Sequence, residues 1–370
     1  MRHATHATVR QRAGVTERIQ SPGLSHAFTN EEIEVARREG RLLSLDIQLT
    51  SLCNFRCRYC YAAPNERQKD ELTLPEVFRV IDEARELGLR SLTLTGGEPT
   101  LDEKFFPAAE YAVRHGIDVL IFTNASNVTR AVAERLFDLR VSPCVKLDSL
   151  SPKTQDYLAH REGSLASILR GLEHLVAVGY TSTFPVLAVN AVVCRANYRE
   201  IPDLWRWARD QNITPSVSRL QLMGRATEDP SQGVSPKELK SLYAELARVD
   251  ARFGKVWEPD VPWPAGKPCR RHHIGGFVTS QGNLQPCSGV PVWAGNLRER
   301  SLRELLDTSQ VFKVARNIRE HLQGACGNCR YNDRCYGCRS IAYFSEGRFT
   351  AADPTCWHAQ GYPPQLQNLE

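Results

Sequence analysis

Between Leu43 and Leu222 the hydrophobic period switches repeatedly between two residues and three or four, and this alternation limits the possible folds more than any other feature. Strands are expected at 43–49, 91–95, 118–123, 143–148, 185–193 and 215–222, with helices between them at 74–88, 103–115, 129–139, 164–178 and 198–210. Gly88, Gly116 and Gly179 stand where three of these helices need a left-handed stop. Strand followed by crossover helix specifies a parallel sheet covered by helices, which period alone leaves open between a barrel and a doubly wound sheet. The strand faces bear on that choice. Leu45, Ile47 and Leu49 share one side of the first strand and Asp46, Gln48 and Thr50 the other; in the fourth, Val145 and Leu147 oppose Cys144, Lys146 and Asp148. A polar strand face in a helix-covered sheet needs a wet cavity opposite the helices, and the lumen of a partly open barrel provides one.

Directly after the first strand comes Cys53-Asn54-Phe55-Arg56-Cys57-Arg58-Tyr59-Cys60. Three thiolates spaced C-x3-C-x2-C leave a 4Fe-4S cube one ligand short, so that one iron stays open to something other than protein. Structural zinc, the competing reading, wants a closed set of four, usually built from C-x2-C pairs. The second strand ends in Thr95-Gly96-Gly97-Glu98-Pro99, where paired glycines permit close approach of a ligand and Glu98 is placed to accept from an ammonium group. The triplet, with Tyr59 before its third cysteine, and the Gly96–Pro99 turn together resemble the radical S-adenosylmethionine (SAM) superfamily. The resemblance covers roughly Leu42 to Arg225 and implies an α/β fold, a partial (β/α)6 barrel. It implies that Cys53, Cys57 and Cys60 hold a cluster that chelates SAM, and that Tyr59, Gly96, Gly97, Glu98 and Pro99 contact SAM. Thr123-Asn124-Ala125-Ser126 stands where the family has a turn near the SAM ribose, with Ala125 in place of a common glycine. Asn124 and Ser126 are the implied contacts there, Asn190 is a similar one, and Gly224-Arg225 corresponds to a strand end near the SAM carboxylate. Plain turn asparagines and a solvated loop arginine are the alternatives, and Asn197 reads equally as the cap of the following helix.

Past an expected helix at 236–253, the stretch Trp257–Pro268 holds four prolines and two tryptophans and reads as a stiff linker. Seven of the twelve cysteines follow in the last 102 residues: Cys269, Cys287, Cys326, Cys329, Cys335, Cys338 and Cys356. A zinc ribbon explains four of these. The spacing, with Cys338-Arg339 and Asp353-Pro354-Thr355-Cys356, resembles the SPASM extension of radical SAM enzymes. That resemblance implies one cube on Cys326, Cys329, Cys335 and Cys356, and a second on Cys269, Cys287 and Cys338, whose fourth iron takes His272, His273, a substrate atom, water or another residue. The two-residue gap between Cys335 and Cys338, where many members have three, resembles the haem-maturation branch. The expected organisation is an arm and short helix over 1–41, the barrel over 42–230, a linker over 231–268 and a cysteine-rich iron-sulfur domain over 269–370.

No apolar run approaches the length of a membrane span and no signal-peptide core opens the chain, so a cytoplasmic protein using its cysteines for metal is expected, with no membrane partner. The net charge is +5, but ten thiolates on three cubes of about +2 each would subtract about 4, so charge gives no nucleic-acid signal. The resemblance implies SAM and three 4Fe-4S clusters as cofactors, an electron donor such as flavodoxin or ferredoxin, and a 5'-deoxyadenosyl radical that takes hydrogen from the substrate. The leading expectation is net oxidation of a small polar substrate (sugar, cyclitol or amino-acid-like), because a barrel starting at Leu42 leaves little chain ahead of it for a leader-binding domain. The alternatives are a radical maturase of a ribosomal peptide or protein side chain, a radical epimerase in which Cys144 or Cys194 returns a hydrogen atom, and a redox carrier that cleaves nothing. Strand parity puts Lys146 and Asp148 on the lumen side, as candidate catalytic residues or as a buried ion pair without a chemical role.

Overall fold

The computed structural model describes residues 28–62, 66–263 and 267–359. Most of the expected N-terminal arm lies outside them. In chain order the elements are α1 (Asn30–Arg38), β1 (Ser44–Gln48), α2 (Leu74–Glu86), β2 (Ser91–Thr95), α3 (Phe105–Arg114), β3 (Asp118–Thr123), α4 (Arg130–Asp138), β4 (Ser142–Lys146), α5 (Pro152–Ala159), α6 (Ser164–Ala177), β5 (Ala188–Val193), α7 (Ile201–Asp210), β6 (Thr214–Arg219) and α8 (Pro236–Arg252). The tail adds α9 (Arg271–Ile274), β7 (Gly275–Val278), β8 (Asn283–Gln285), β9 (Gly295–Asn296), α10 (Leu302–Thr308), α11 (Gln310–Arg316), α12 (Ile318–His321), α13 (Gly324–Gly327) and α14 (Arg339–Glu346).

Among the described residues one sheet runs β6-β5-β4-β3-β2-β1-β7-β8-β9, with β1 to β6 parallel and in sequence order. Each parallel step is a strand returned by a helix, which makes the partial (β/α)6 arrangement. Leu45, Ile47, Leu92, Leu94, Ile121 and Val145 face the helices, and α2 answers with Val77, Val80, Ile81 and Ala84, all at or near zero exposure. Each such side chain contributes about 1.5–3 kcal/mol by leaving water. The opposite strand face changes character along its length. Leu120, Cys144 and Ala188 form an apolar plug with Phe122 and Val186, while Lys146, Asn190, Ser216 and Ser218 are linked by hydrogen bonds beyond it. The lumen is thus closed at one end and polar at the other.

Several boundaries differ from the sequence reading. β4 stops at Lys146, leaving Asp148 beyond the strand. Helix α5 lies within the crossover to β5, its start marked by Ser151, whose hydroxyl accepts from the Thr154 N–H, and by Pro152 in the first turn. α7 begins at Ile201 after Glu200. Asn197 therefore caps nothing; its side chain accepts from the Cys194 N–H and donates to the Asp148 and Val192 carbonyls, tying two strand ends together. β7 was hidden by its two glycines, which carry no β-forming side chain. Gly275 fits a crowded place beside β1: a Cβ there would lie 3.0 Å from the Arg271 carbonyl oxygen and 3.2 Å from that of Ser44. β7 pairs with β1, Ser44 opposite Gly275, so the cysteine-rich tail continues the sheet of the barrel. The first part of the proline-rich connection is fastened twice, since Trp257 donates to the buried Asp250 carboxylate and Asp260 accepts from Arg334. No described helix is long and apolar enough to cross a membrane.

Candidate active site

The Cys53–Cys60 loop leaves the end of β1 and is fastened to the glycine turn after β2. The Gly97 N–H donates to the Thr50 carbonyl and the Glu98 N–H to that of Leu52, both at 2.8 Å. A Cβ on Gly96 would sit 2.8 Å from the Thr50 oxygen, and one on Gly97 only 2.3 Å from the Leu52 oxygen. The chain itself lies where their side chains would be, so besides the ligand approach that the sequence suggests, their smallness lets two strand ends meet. Glu98 also has protein partners. It is buried, and its carboxylate accepts from the Thr100 N–H and hydroxyl, the Thr123 hydroxyl and the Asn124 N–H. Burial nevertheless holds its carboxyl above the usual range.

The turn after β3 closes the same loop from the other side. Asn124 donates to the Asn54 side chain, and Asn54 donates to the Ser126 hydroxyl, each at 2.8 Å. Ala125 between them has a left-handed φ of 56°, the conformation that favours glycine. Arg225 completes the ring, its Nε donating to the Cys57 carbonyl at 2.9 Å, while Gly224 turns at φ 57° where a Cβ would meet the Cys60 oxygen at 2.4 Å. Three segments far apart in sequence thus fasten the loop of three cysteines. Burial pushes the Cys53 thiol up to about 11 and Cys57 well above its ordinary value, with the charge of Glu98 raising the first further and that of Asp148 the second. A bound metal reverses this, because coordination removes the proton.

Lys146 and Asp148 do come together, and they join the cysteine loop. The Tyr59 hydroxyl donates to Asp148, which also accepts from the Val192 N–H at 2.8 Å. Lys146 Nζ donates to Asn190 at 2.7 Å, lies 4.0 Å from the Asp148 carboxylate and 5.5 Å from the centre of the Tyr59 ring. Parity along β4 pointed to the lysine and the aspartate, but nothing in the sequence tied Tyr59 to them. Cys144 sits in the apolar plug and Cys194 is buried at the end of β5; burial is the main reason both thiols are raised, Cys144 to about 12.

In the tail, Cys269, Cys287 and Cys338 lie near enough to act on one another electrostatically, as do Cys326 and Cys356. Cys329 closes a turn on Cys326, its N–H donating to the Cys326 carbonyl, and Cys335 closes the next turn, its N–H donating to the Tyr331 carbonyl. Two residues passed over in the sequence connect these sets to the barrel. Tyr61 hydrogen-bonds Thr95 and Ser288, joining the loop of Cys60 to the neighbour of Cys287. Arg219, the last residue of β6, donates to Asp353 at 2.8 Å and to Thr355 at 2.7 Å. His273 Nδ1 faces the Arg316 carbonyl and His272 packs beside Tyr336. Burial lowers the pair to about 4 and about 3, so both imidazoles are neutral at pH 7.

The donor set supports iron-sulfur cubes. Among the described residues no three His, Cys, Asp or Glu side chains converge on a single-ion position, which disfavours tetrahedral zinc, whereas a cube spreads its thiolates over separate irons. Around the tail cysteines, Arg219 Nη2, Arg339 Nε, the Tyr243 hydroxyl and Trp357 Nε1 are buried donors without an acceptor. Such orphans are costly unless something negative stands among them, and a sulfide-bearing cluster with a net negative charge is of that kind. Between the ends of β5 and β6, the start of α8 and α14 runs an open cleft walled by Val193, Leu220, Leu222, Leu239, Ile341 and Phe344, with Arg219 and Thr355 also lining it.

Residues 47–208 match the model of the radical SAM superfamily, and residues 269–330 match that of an iron-sulfur cluster-binding domain, SPASM. The chain belongs to the radical SAM superfamily, in its SPASM-bearing branch. It is therefore a radical SAM enzyme, and its cofactors are SAM and 4Fe-4S clusters. The AdoMet-dependent heme synthase of Methanosarcina barkeri is 29% identical over 343 residues, spanning 85% of this chain and 96% of that protein. The mycofactocin maturase MftC of Mycobacterium ulcerans is 26% identical over 343 residues, spanning 88% of this chain and 90% of that protein. The SAM-bound crystal structure of Streptococcus suis SuiB shares the fold, with a TM-score of 0.69 at 18% identity over 90% of this chain and 84% of that one.

Proposed function

We propose that this enzyme is a radical SAM maturase that oxidises a side chain of a peptide or protein. The observation that carries the reading is the cleft beside the lumen, whose aliphatic wall from Val193 to Phe344 matches bulky peptide side chains and is left uncovered by a sugar or cyclitol. The likeness to a protein named mycofactocin maturase over 88% of the chain points the same way. The small polar substrate expected from the sequence is the weaker match. A tetrapyrrole is the second reading, favoured by the likeness to a heme synthase and by the two-residue gap between Cys335 and Cys338.

When bound, SAM and the three-cysteine cluster would supply a 5'-deoxyadenosyl radical able to take a hydrogen atom from a substrate carbon, and the tail clusters would supply the acceptor for the second electron that a net two-electron oxidation releases. The residues around Tyr59 then have separable tasks. Asp148, held by the Tyr59 hydroxyl and the Val192 N–H, keeps the tyrosine ring against the cysteine loop. Lys146, held by Asn190, is the group free to exchange a proton with a substrate heteroatom. Lys146→Met is expected to leave 5'-deoxyadenosine formation within about threefold of wild type and to lower product formation by about a hundredfold, the usual size of a lost general acid or base. Product formation at the wild-type rate would remove Lys146 from the site.

The substrate class is testable without a named substrate. The loaded enzyme, SAM and reductant are incubated with fractions of an extract of the source cells grown in deuterated medium, and deuterium in 5'-deoxyadenosine is read by mass spectrometry. Label that tracks a peptide fraction and disappears after protease treatment supports the maturase reading. Label that survives protease in a polar low-mass fraction, or that follows a tetrapyrrole fraction, contradicts it.

A further inference from the structure

Asp353 touches both auxiliary cysteine sets. Its N–H donates to Cys326 Sγ at 3.4 Å, and its carboxylate accepts from the N–H of Cys338, a member of the other set, at 2.8 Å. The residue is fully buried and the Arg219 guanidinium balances its charge. Arg339 makes a second bridge. It follows Cys338 in the chain, its Nη1 donates to the Phe349 and Ala351 carbonyls, and its Nη2 reaches Cys326 Sγ at 3.8 Å. Both arginines are buried in addition to having orphan donors, Nη2 on Arg219 and Nε on Arg339. A permanent positive charge held out of water beside a cluster favours the form with one more electron, because that form is more negative by one charge and the interior screens weakly.

We propose that Arg339 and Arg219 are positioning residues that set the reduction potentials of the two auxiliary clusters, Arg339 through its contact with Cys326 and Arg219 through Asp353, which both sets touch. The inference rests on the assignment of those seven cysteines to two cubes. Arg219 ends the last barrel strand and lines the cleft, so a charge that poises the auxiliary clusters also borders the proposed substrate path. Asp353, shared by both sets, cancels part of that charge and keeps the two arginines apart in effect.

The test is an anaerobic redox titration of the fully loaded chain, the titrant supplying one electron per cluster and EPR reading the reduced forms. Arg339→Gln should lower the midpoint of one auxiliary cluster so that its reduced-to-oxidised ratio at a fixed potential falls at least about tenfold, or 59 mV for one electron. Arg339→Lys should keep that ratio within about twofold of wild type. Arg219→Gln, which leaves the Asp353 charge unbalanced beside both sets, should lower the midpoint of at least one auxiliary cluster by a comparable amount. Unchanged midpoints in both glutamine variants at full iron content overturn the proposal, as does an equal shift in Arg339→Lys and Arg339→Gln. If a variant loads incompletely, wild-type enzyme labelled with 15N-arginine decides: pulsed EPR of the reduced auxiliary clusters should detect nitrogen coupling from arginine, and its absence from both clusters overturns the assignment of roles. A wild-type iron content near four per chain instead of about twelve would overturn the cluster assignment underneath, and with it the proposal.

Discussion

Cys57→Ala is expected to reduce SAM cleavage to the level of the enzyme-free control while leaving the tail clusters in place, so that iron falls from about twelve to about eight per chain. Cys57 is the middle cysteine of the triplet, and its carbonyl is where Arg225 fastens the last turn of the barrel onto the loop. The alanine variant keeps that carbonyl and the ring of hydrogen bonds through Asn54, Asn124 and Ser126, so the loss is one of ligation and not of folding. Anaerobic chromatography of 5'-deoxyadenosine with iron analysis checks both halves. Cleavage at the wild-type rate would mean that the triplet does not bind SAM's cluster, and loss of all iron would mean that the tail sets depend on it.

Gly97→Ala is expected to do nearly as much damage by a purely steric route. The added methyl would stand 2.3 Å from the Leu52 oxygen, 2.6 Å from the Leu52 carbonyl carbon and 2.6 Å from the Ser51 oxygen. These are backbone atoms, which cannot swing aside as a side chain can. Relief requires the start of the cysteine loop to move, with a stability loss of about 1–3 kcal/mol, the usual cost of overpacking. The first cluster should load poorly and SAM cleavage should fall at least about tenfold, while the tail iron remains. Denaturant unfolding and iron analysis of the same preparation measure the two effects. A variant with wild-type stability and full iron would show that the two strand ends are not locked together as the structure has them.

The parts of the fold that were legible in the sequence are those in which period and burial agree. β2 and β3 occupy the expected residues because Leu92 and Leu94, and Val119 and Ile121, each face helices on one side only. β7 was not legible, since Gly275 and Gly276 carry no side-chain pattern and Gly275 answers to the closeness of Arg271 and Ser44. The cysteines and the Gly96–Pro99 turn marked the site, but their local geometry differs from the simplest reading: the glycines touch the Thr50–Leu52 backbone and Glu98 binds its own neighbouring turns. Arg219 and Asp353 could not be paired from sequence because 134 residues separate them and an arginine ending a strand reads as a solvated charge. In the same way, Tyr59 was placed by its motif and Asp148 by strand parity, while the hydrogen bond between them depends on the curvature of the sheet.

Anaerobic analysis of iron, acid-labile sulfide and zinc in the reconstituted chain tests the account most directly, because every functional step above starts from three, three and four cysteines holding three cubes. The account predicts a plateau of about twelve iron and about twelve sulfide per chain. A folded protein holding zinc and no sulfide would contradict it outright, and a reproducible plateau near eight iron would show that Cys269, Cys287 and Cys338 do not hold a cube.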